Sequence, residues 1–273
     1  MDRIEIPEDK TVALEHVADG VKGLRIIFVN VFSIEHSDGS WTLIDCGLPY
    51  CENRIRTWVE QNFNTPPNAI LLSHGHFDHV GAAISLANHW RVPVYAHPLE
   101  APYLTGKKEY PPPNISAGGG VMPLLSPLFP RAPIDLGEHF RPLEVGVEGA
   151  LHSRELPGWK IIHTPGHTMG HVSLFREQDR VLLPADAFCT TKPESFFEAA
   201  IAQQAELHGP PSYFTSDWDA ARKSVQALAA LDPLVIAPGH GRPLSGQSVP
   251  TSLKQLASQF DEVAVPDNRK PAA

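Results

Sequence analysis

The chain has 273 residues, 42% hydrophobic and 19% charged, a soluble globular composition long enough for one large α/β domain or two small ones. Its formal net charge of -9 disfavours sequence-independent binding to phosphate backbones, and no apolar run approaches the roughly 20 residues that cross a bilayer. Cys46, Cys51 and Cys189 are too few for a disulfide framework, and the N-terminus lacks a basic-then-apolar pattern, so a reduced, cytoplasmic protein is expected.

Residues 25–34 and 41–45 read as the two strands of a hairpin, joined by the polar turn His36-Ser37-Asp38-Gly39-Ser40. Ile55, Trp58 and Val59 recur at helical spacing within 52–61, and this helix stops before Asn64-Thr65-Pro66-Pro67. Ala69-Ile70-Leu71-Leu72 reads as a short buried strand that runs directly into Ser73-His74-Gly75-His76-Phe77-Asp78-His79. A helix over about 80–90 and a strand over 94–96 follow. From 110 to about 155 the pattern breaks, with Pro111-Pro112-Pro113 and Gly118-Gly119-Gly120 among the interruptions. A partly ordered lid is expected here, because Met122, Leu124, Leu125, Leu128 and Phe129 offer apolar surface unsuited to a solvated linker. Strands at 159–163, 172–175 and 180–183 come next, then a helix over 217–231 capped by Ser216 or Asp217. A buried strand at 234–237 and a helix carrying Leu253, Leu256 and Phe260 complete the series. Residues 1–265 are expected to form a single domain, and 266–273 a disordered tail.

The segment 74–79 holds three imidazoles and one carboxylate, a density of metal ligands that packing does not call for. Gly75 would let the chain turn sharply enough for His74 and His76 to converge, leaving Asp78 and His79 to face a second location. Imidazole nitrogen suits zinc, and carboxylate suits zinc or a harder divalent ion, so the stretch supplies parts of two sites and closes neither. Capping of the following helix would account for Asp78 and leave the histidines unexplained. The completing candidates each follow a predicted strand, where a rigid sheet would hold them: His167 in Thr164-Pro165-Gly166-His167-Thr168, Asp186 after Leu182-Leu183-Pro184-Ala185, and His240 in Pro238-Gly239-His240-Gly241. For His163 and His171, which flank His167, support of a ligand and an ordinary turn or core role are both open.

In order over roughly residues 29–244, these motifs resemble the metallo-β-lactamase superfamily, in which His-x-His-x-Asp-His is followed by a single His, a single Asp and a last His at separated strand ends. The resemblance implies an α/β fold, the αββα sandwich, with the site at one edge of the two sheets. It places His74, His76 and His167 on one divalent ion and Asp78, His79 and His240 on another, with Asp186 bridging them. Zinc is the expected ion, manganese and iron(II) the alternatives. It also implies that Asp45 orients the ligand loop, a turn residue being the other reading.

The implied chemistry is hydrolysis of an ester-like bond in a small molecule, by a hydroxide shared between the ions, with Asp78 also orienting the water or shuttling its proton. No Gly-x-Ser-x-Gly elbow offers a competing nucleophile. Asp186 favours the glyoxalase II and lactonase-like branches over the β-lactamases. The Gly-Cys-Gly segment of glyoxalase II is here Phe188-Cys189-Thr190-Thr191-Lys192, and Cys189 replaces the Tyr that lactonases carry three residues after the bridging Asp, with Tyr213 or a lid residue as a substitute. The nuclease branches share the ligand set, and the acidic charge counts against them. The rival from another class resembles the persulfide dioxygenases, with one iron on His74, His167 and Asp186. Residues 110–133, with Phe196, Phe197, Tyr213 and Phe214, are expected to wall an apolar substrate pocket, ordinary packing being the alternative.

Overall fold

Along the strand Val29–Glu35, Phe32 and Ile34 face one side while Val29 and Val31 face the other, and the two sets enter different cores. The strand Val181–Ala185 divides in the same way, Val181 and Leu183 against Leu182. This period of two is what a strand buried on both faces produces. In the computed structural model, which describes residues 3–5, 10–117, 120–146, 150–202 and 205–267, it builds two face-to-face sheets. Phe32, Ile34, Ile44 and Leu71 of one sheet meet Val172, Leu174, Val181 and Leu183 of the other in the central core. The outer face of the first sheet, through Trp41, Leu43 and Ile70, packs on Ile55, Trp58 and Leu86 of the helices Glu52–Asn62 and Ala83–Trp90. The outer face of the second, through Leu182 and Ile236, packs on Val225, Leu228, Leu253 and Leu256 of the helices Trp218–Ala229 and Val249–Ser258. The layers are helix, sheet, sheet, helix, as the αββα expectation requires.

The first sheet has six strands whose spatial order follows the chain: Val21–Ile26, Val29–Glu35, Trp41–Ile44, Ala69–Leu71, Val94–Ala96 and Phe140–Pro142. The first three pair antiparallel and the later joins are parallel. The second sheet has eight strands in the order Lys10–Thr11, Leu244–Ser245, Val235–Pro238, Val181–Ala185, Val172–Arg176, Lys160–His163, Leu151–His152 and Glu144–Val145. Val181–Ala185 and Val235–Pro238 run parallel, so both release their following loops at the same end of the sheet.

Several expected elements are corrected. The strand expected over 25–34 is two strands, Val21–Ile26 and Val29–Glu35, because the chain folds back at Ile27, whose φ is 61°, and Ile26 pairs with Val29. The helix expected over 80–90 is broken into Phe77–Val80 and Ala83–Trp90. The 110–155 segment is more regular than expected. It holds the helix Val121–Leu125, then gives Phe140–Pro142 to the edge of the first sheet and Glu144–Val145 and Leu151–His152 to the edge of the second. Asp217 is the residue that caps Trp218–Ala229, accepting the Ala220 N–H at 2.9 Å. The last helix ends at Ser258 and a separate turn follows at Phe260–Val263. Gly118, Gly119 and residues 268–273 of the expected tail lie outside the described residues. Among the described residues, no helix is long and apolar enough to cross a membrane.

Candidate metal centre

The strands Trp41–Ile44, Ala69–Leu71, Lys160–His163, Val181–Ala185 and Val235–Pro238 each end shortly before one of the residues singled out above: Asp45, His74, His167, Asp186 and His240. All seven candidate ligands are buried and lie in three overlapping groups, His74 with His76 and His167, His74 with His79 and Asp186, and Asp78 with His79 and His240, the donor atoms of each group lying within 4.8 Å. His76 Nδ1 stands 3.1 Å from His74 Nε2 and 2.8 Å from His167 Nε2. A tetrahedral zinc with nitrogens at ~2.0–2.1 Å sets its ligands about 3.3 Å apart, close to this spacing. Asp186 turns Oδ1 to His79 Nε2 at 3.4 Å and Oδ2 to His240 Nε2 at 3.1 Å and His167 Nε2 at 3.5 Å. Asp78 Oδ2 is 3.5 Å from His240 Nε2.

The imidazoles of His74, His79, His167 and His240 are each oriented through the other ring nitrogen, which fixes which lone pair faces inward. His79 Nδ1 donates to Asp45 Oδ2 at 2.8 Å, and Asp45 also accepts the Ser73 N–H and hydroxyl, each at 2.8 Å. The Ser73 hydroxyl lies 3.0 Å from His74 Nδ1, so Asp45 reaches one ligand directly and another through Ser73. His240 Nδ1 donates to the Phe28 carbonyl at 2.9 Å, and His167 Nδ1 meets the Thr215 hydroxyl at 3.1 Å. His171 is no ligand candidate: its Nε2 accepts the Asp186 N–H at 3.0 Å and its Nδ1 meets the Thr164 hydroxyl at 2.8 Å, so it holds the backbone at Asp186. His163 is exposed and stacks on His97, ring centroids 4.2 Å apart.

This donor set fits a divalent cation. His79 Nε2 and Asp186 Oδ1 are buried, face each other and have no hydrogen-bond partner, a costly arrangement unless a cation lies between them. Burial pushes the His74 and His167 imidazoles well below their usual range and His76 down to about 3, leaving neutral rings with lone pairs to offer. Burial also opposes charge on His79 and His240, but Asp186, joined by Asp45 at His79 and by Asp78 at His240, outweighs it and raises both. In return His240 and His79 hold the Asp186 carboxyl well below the carboxylate range despite its burial. Burial pushes the Asp78 carboxyl up.

A cavity of about 330 Å3 opens beside His76 and His167, walled by Tyr103, Tyr110, Tyr213, Phe214 and Met169. Of the expected pocket residues, Tyr110, Pro111, Pro112, Asn114, Tyr213 and Phe214 line it. Phe196 stands elsewhere, edge-on to Phe28 at 6.5 Å, and Phe28 stacks on His240 at 5.9 Å. Cys189 is buried, its backbone paired with that of His208, while Tyr213 forms cavity wall. Ser73 and Thr215 carry no motif signal; only the fold shows them against His74 and His167.

The family described as the metallo-beta-lactamase superfamily matches residues 24–240. Probable metallo-hydrolase YflN of Bacillus subtilis (strain 168) is 42% identical over 250 residues, covering 90% of this chain and 93% of that protein. Among solved structures, TTHA1623 in a di-iron-bound form shares 27% identity at a TM-score of 0.55, over 86% of this chain and 95% of that one. ST1585 from Sulfolobus tokodaii, an archaeal metallo-beta-lactamase superfamily protein, shares the fold at a TM-score of 0.60 with 19% identity, over 88% of this chain and 86% of that one. With its sandwich, its groups of candidate ligands at strand ends and these relatives agreeing, the chain belongs to the metallo-beta-lactamase superfamily and is a metallo-hydrolase of that fold.

Proposed function

We propose that the protein is a binuclear hydrolase of small-molecule esters, thioesters or lactones. His74, His76 and His167 hold one divalent ion, Asp78, His79 and His240 hold a second, and Asp186 serves both. Zinc suits an imidazole-rich set, with manganese and iron(II) as alternatives. The observation that carries the reading is Asp186, a single carboxylate whose two oxygens face donors of both sets. Bound there, the ions supply a water of lowered pKa and a Lewis acid for the substrate's carbonyl oxygen.

The chain's own residues supply position and exclusion. Asp45 and Ser73 hold His79 and His74, and Thr215 and the Phe28 carbonyl hold His167 and His240. Asp78 Oδ2, beside His240, is placed to hold or move a proton. The aromatic cavity receives the acyl or alcohol part and keeps water from it, and about 330 Å3 is room for a small molecule. A net charge of -9 and a pocket of this size disfavour a nucleic acid substrate.

Protein purified without added metal and submitted to elemental analysis should carry two ions per chain and hydrolyse members of an ester, thioester and lactone panel. His76→Ala and Asp186→Ala should lose metal and activity together. Full occupancy with no activity on the panel would overturn the hydrolytic reading. A single iron with oxygen consumption would replace it with the dioxygenase reading on His74, His167 and Asp186.

A further inference from the structure

Glu100 is fully buried, at 0% exposure, and no cation pairs with it among the described residues. Its carboxylate is instead filled by four donors from three loops. Oε1 accepts the Thr168 hydroxyl at 2.7 Å and the Gly170 N–H at 2.8 Å, both from the loop that carries His167. Oε2 accepts the Gly75 N–H at 3.0 Å, from between His74 and His76, and the Tyr110 hydroxyl. Gly75 also donates to the Tyr110 oxygen at 3.0 Å, and the Tyr110 ring lies against His76 at 4.6 Å.

Both glycines are shaped by this carboxylate. Gly75 does not adopt a positive φ, so the sharp turn expected from the sequence is not its reason for being glycine. A Cβ at Gly75 would stand 2.5 Å from the Tyr110 oxygen and 3.2 Å from Glu100 Oε2. A Cβ at Gly170 would stand 2.7 Å from Glu100 Cγ and 2.8 Å from Oε1. The loop that carries His76 meets Tyr110 and Glu100, and the loop that carries His167 meets Glu100, so closely that a Cβ at either glycine would force a neighbour to shift.

We infer that Glu100 is a positioning residue of the metal centre, a carboxylate clamp that fixes the spacing of the His74–His76 loop against the His167 loop. It touches no reacting atom and acts through the backbone that carries three of the ligands. Four converging donors satisfy an anion better than a neutral amide, which would turn an N–H2 toward Gly75 N–H and Tyr110 O–H or toward Thr168 and Gly170. The inference rests on the metal reading above.

Glu100→Gln, Glu100→Asp and Gly170→Ala are compared with the parent by zinc affinity in chelator competition, by the absorption spectrum of the cobalt(II)-substituted protein, and by melting of the metal-free form. Glu100→Gln should bind zinc about ten-fold or more weakly and show an altered cobalt spectrum, as loss of a group that orients ligands does. Glu100→Asp, which keeps the charge, should recover part of the affinity. Gly170→Ala, which keeps the carboxylate and displaces it, should shift the spectrum in the same sense, and it decides the matter if Glu100→Gln does not fold. Variants that melt lower yet keep parental zinc affinity and cobalt spectrum would reduce Glu100 to a structural role and overturn the inference. A parent protein that binds no zinc or cobalt at His74, His76 and His167 would overturn the metal reading instead.

Discussion

Asp45 holds two ligand-bearing segments from a backbone position that few side chains accept. Its φ of 62° lies in the left-handed region, where Asp and Asn are tolerated better than most residues. From there it accepts a hydrogen bond from His79 Nδ1–H, so that the neutral ring which binds an ion turns Nε2 inward as a lone pair. Asp45→Asn keeps the shape and the left-handed preference but turns either an N–H or a carbonyl toward His79. With the N–H in that place, His79 Nδ1 must accept, the proton moves to Nε2, and the lone pair that would face an ion is lost. Asp45→Asn should therefore lower metal affinity about 10- to 100-fold, much as Asp45→Ala does, with far-UV circular dichroism unchanged. Chelator competition on both variants checks this, and retained affinity in Asp45→Asn would show that Asp45 supports the loop through Ser73 alone.

At the scale of elements, the candidate ligands could be picked out because each follows an apolar run that could be read as a strand, as Asp186 follows Leu182-Leu183 and His240 follows Val235-Ile236. The return at Ile27 was not, since an isoleucine with a φ of 61° gives none of the Gly or Pro signals that mark a turn. The edge strand Glu144–Val145 was illegible for another reason: both residues are exposed, so pairing with Leu151–His152, rather than an apolar pattern, makes it a strand. Glu100 was missed because its four donors lie 10, 25, 68 and 70 positions away, two of them backbone N–H groups that a sequence motif does not display. The strand pair Ile4–Glu5 and Glu206–Leu207 was likewise out of reach, and it has a pH consequence. Glu206 Oε2 accepts from Arg3 at 2.8 Å and Oε1 meets His208 Nε2 at 2.8 Å. Burial would push its carboxyl up, but His208 and Arg3 outweigh it and hold the group below its ordinary 4.5. A carboxyl depressed by folding stabilises the native state above its unfolded value and loses that contribution as the pH falls through its folded value. Glu206→Gln should therefore melt lower than the parent at neutral pH, and the difference should narrow as the pH falls below 4.5 and through the depressed folded value. Parallel melting curves taken stepwise from pH 7 into the acid range test this; a gap that does not narrow as the pH falls would assign the effect to packing.

Across the whole molecule, the centre is a seam between layers that otherwise have their own cores. His74, His76, Asp78 and His79 follow a strand of the first sheet, and His167, Asp186 and His240 follow strands of the second. Without a cation this seam gathers buried imidazoles 2.8 and 3.1 Å apart and leaves His79 Nε2 and Asp186 Oδ1 without a hydrogen-bond partner, groups that would be solvated in the unfolded chain. The cost falls on the folded state alone, so an ion that binds there is linked to folding of the whole sandwich. At a free concentration one hundred times its Kd, such an ion adds about 2.7 kcal/mol. For a chain of this size that is a rise of roughly 5–10 °C in Tm. Chelation of the purified protein, which removes both proposed ions, should lower Tm by at least that amount in a single transition, because both sheets carry candidate ligands, and zinc should restore it. If only part of the far-UV signal moved on chelation, the centre would belong to a locally ordered loop cluster instead of clamping the two sheets together.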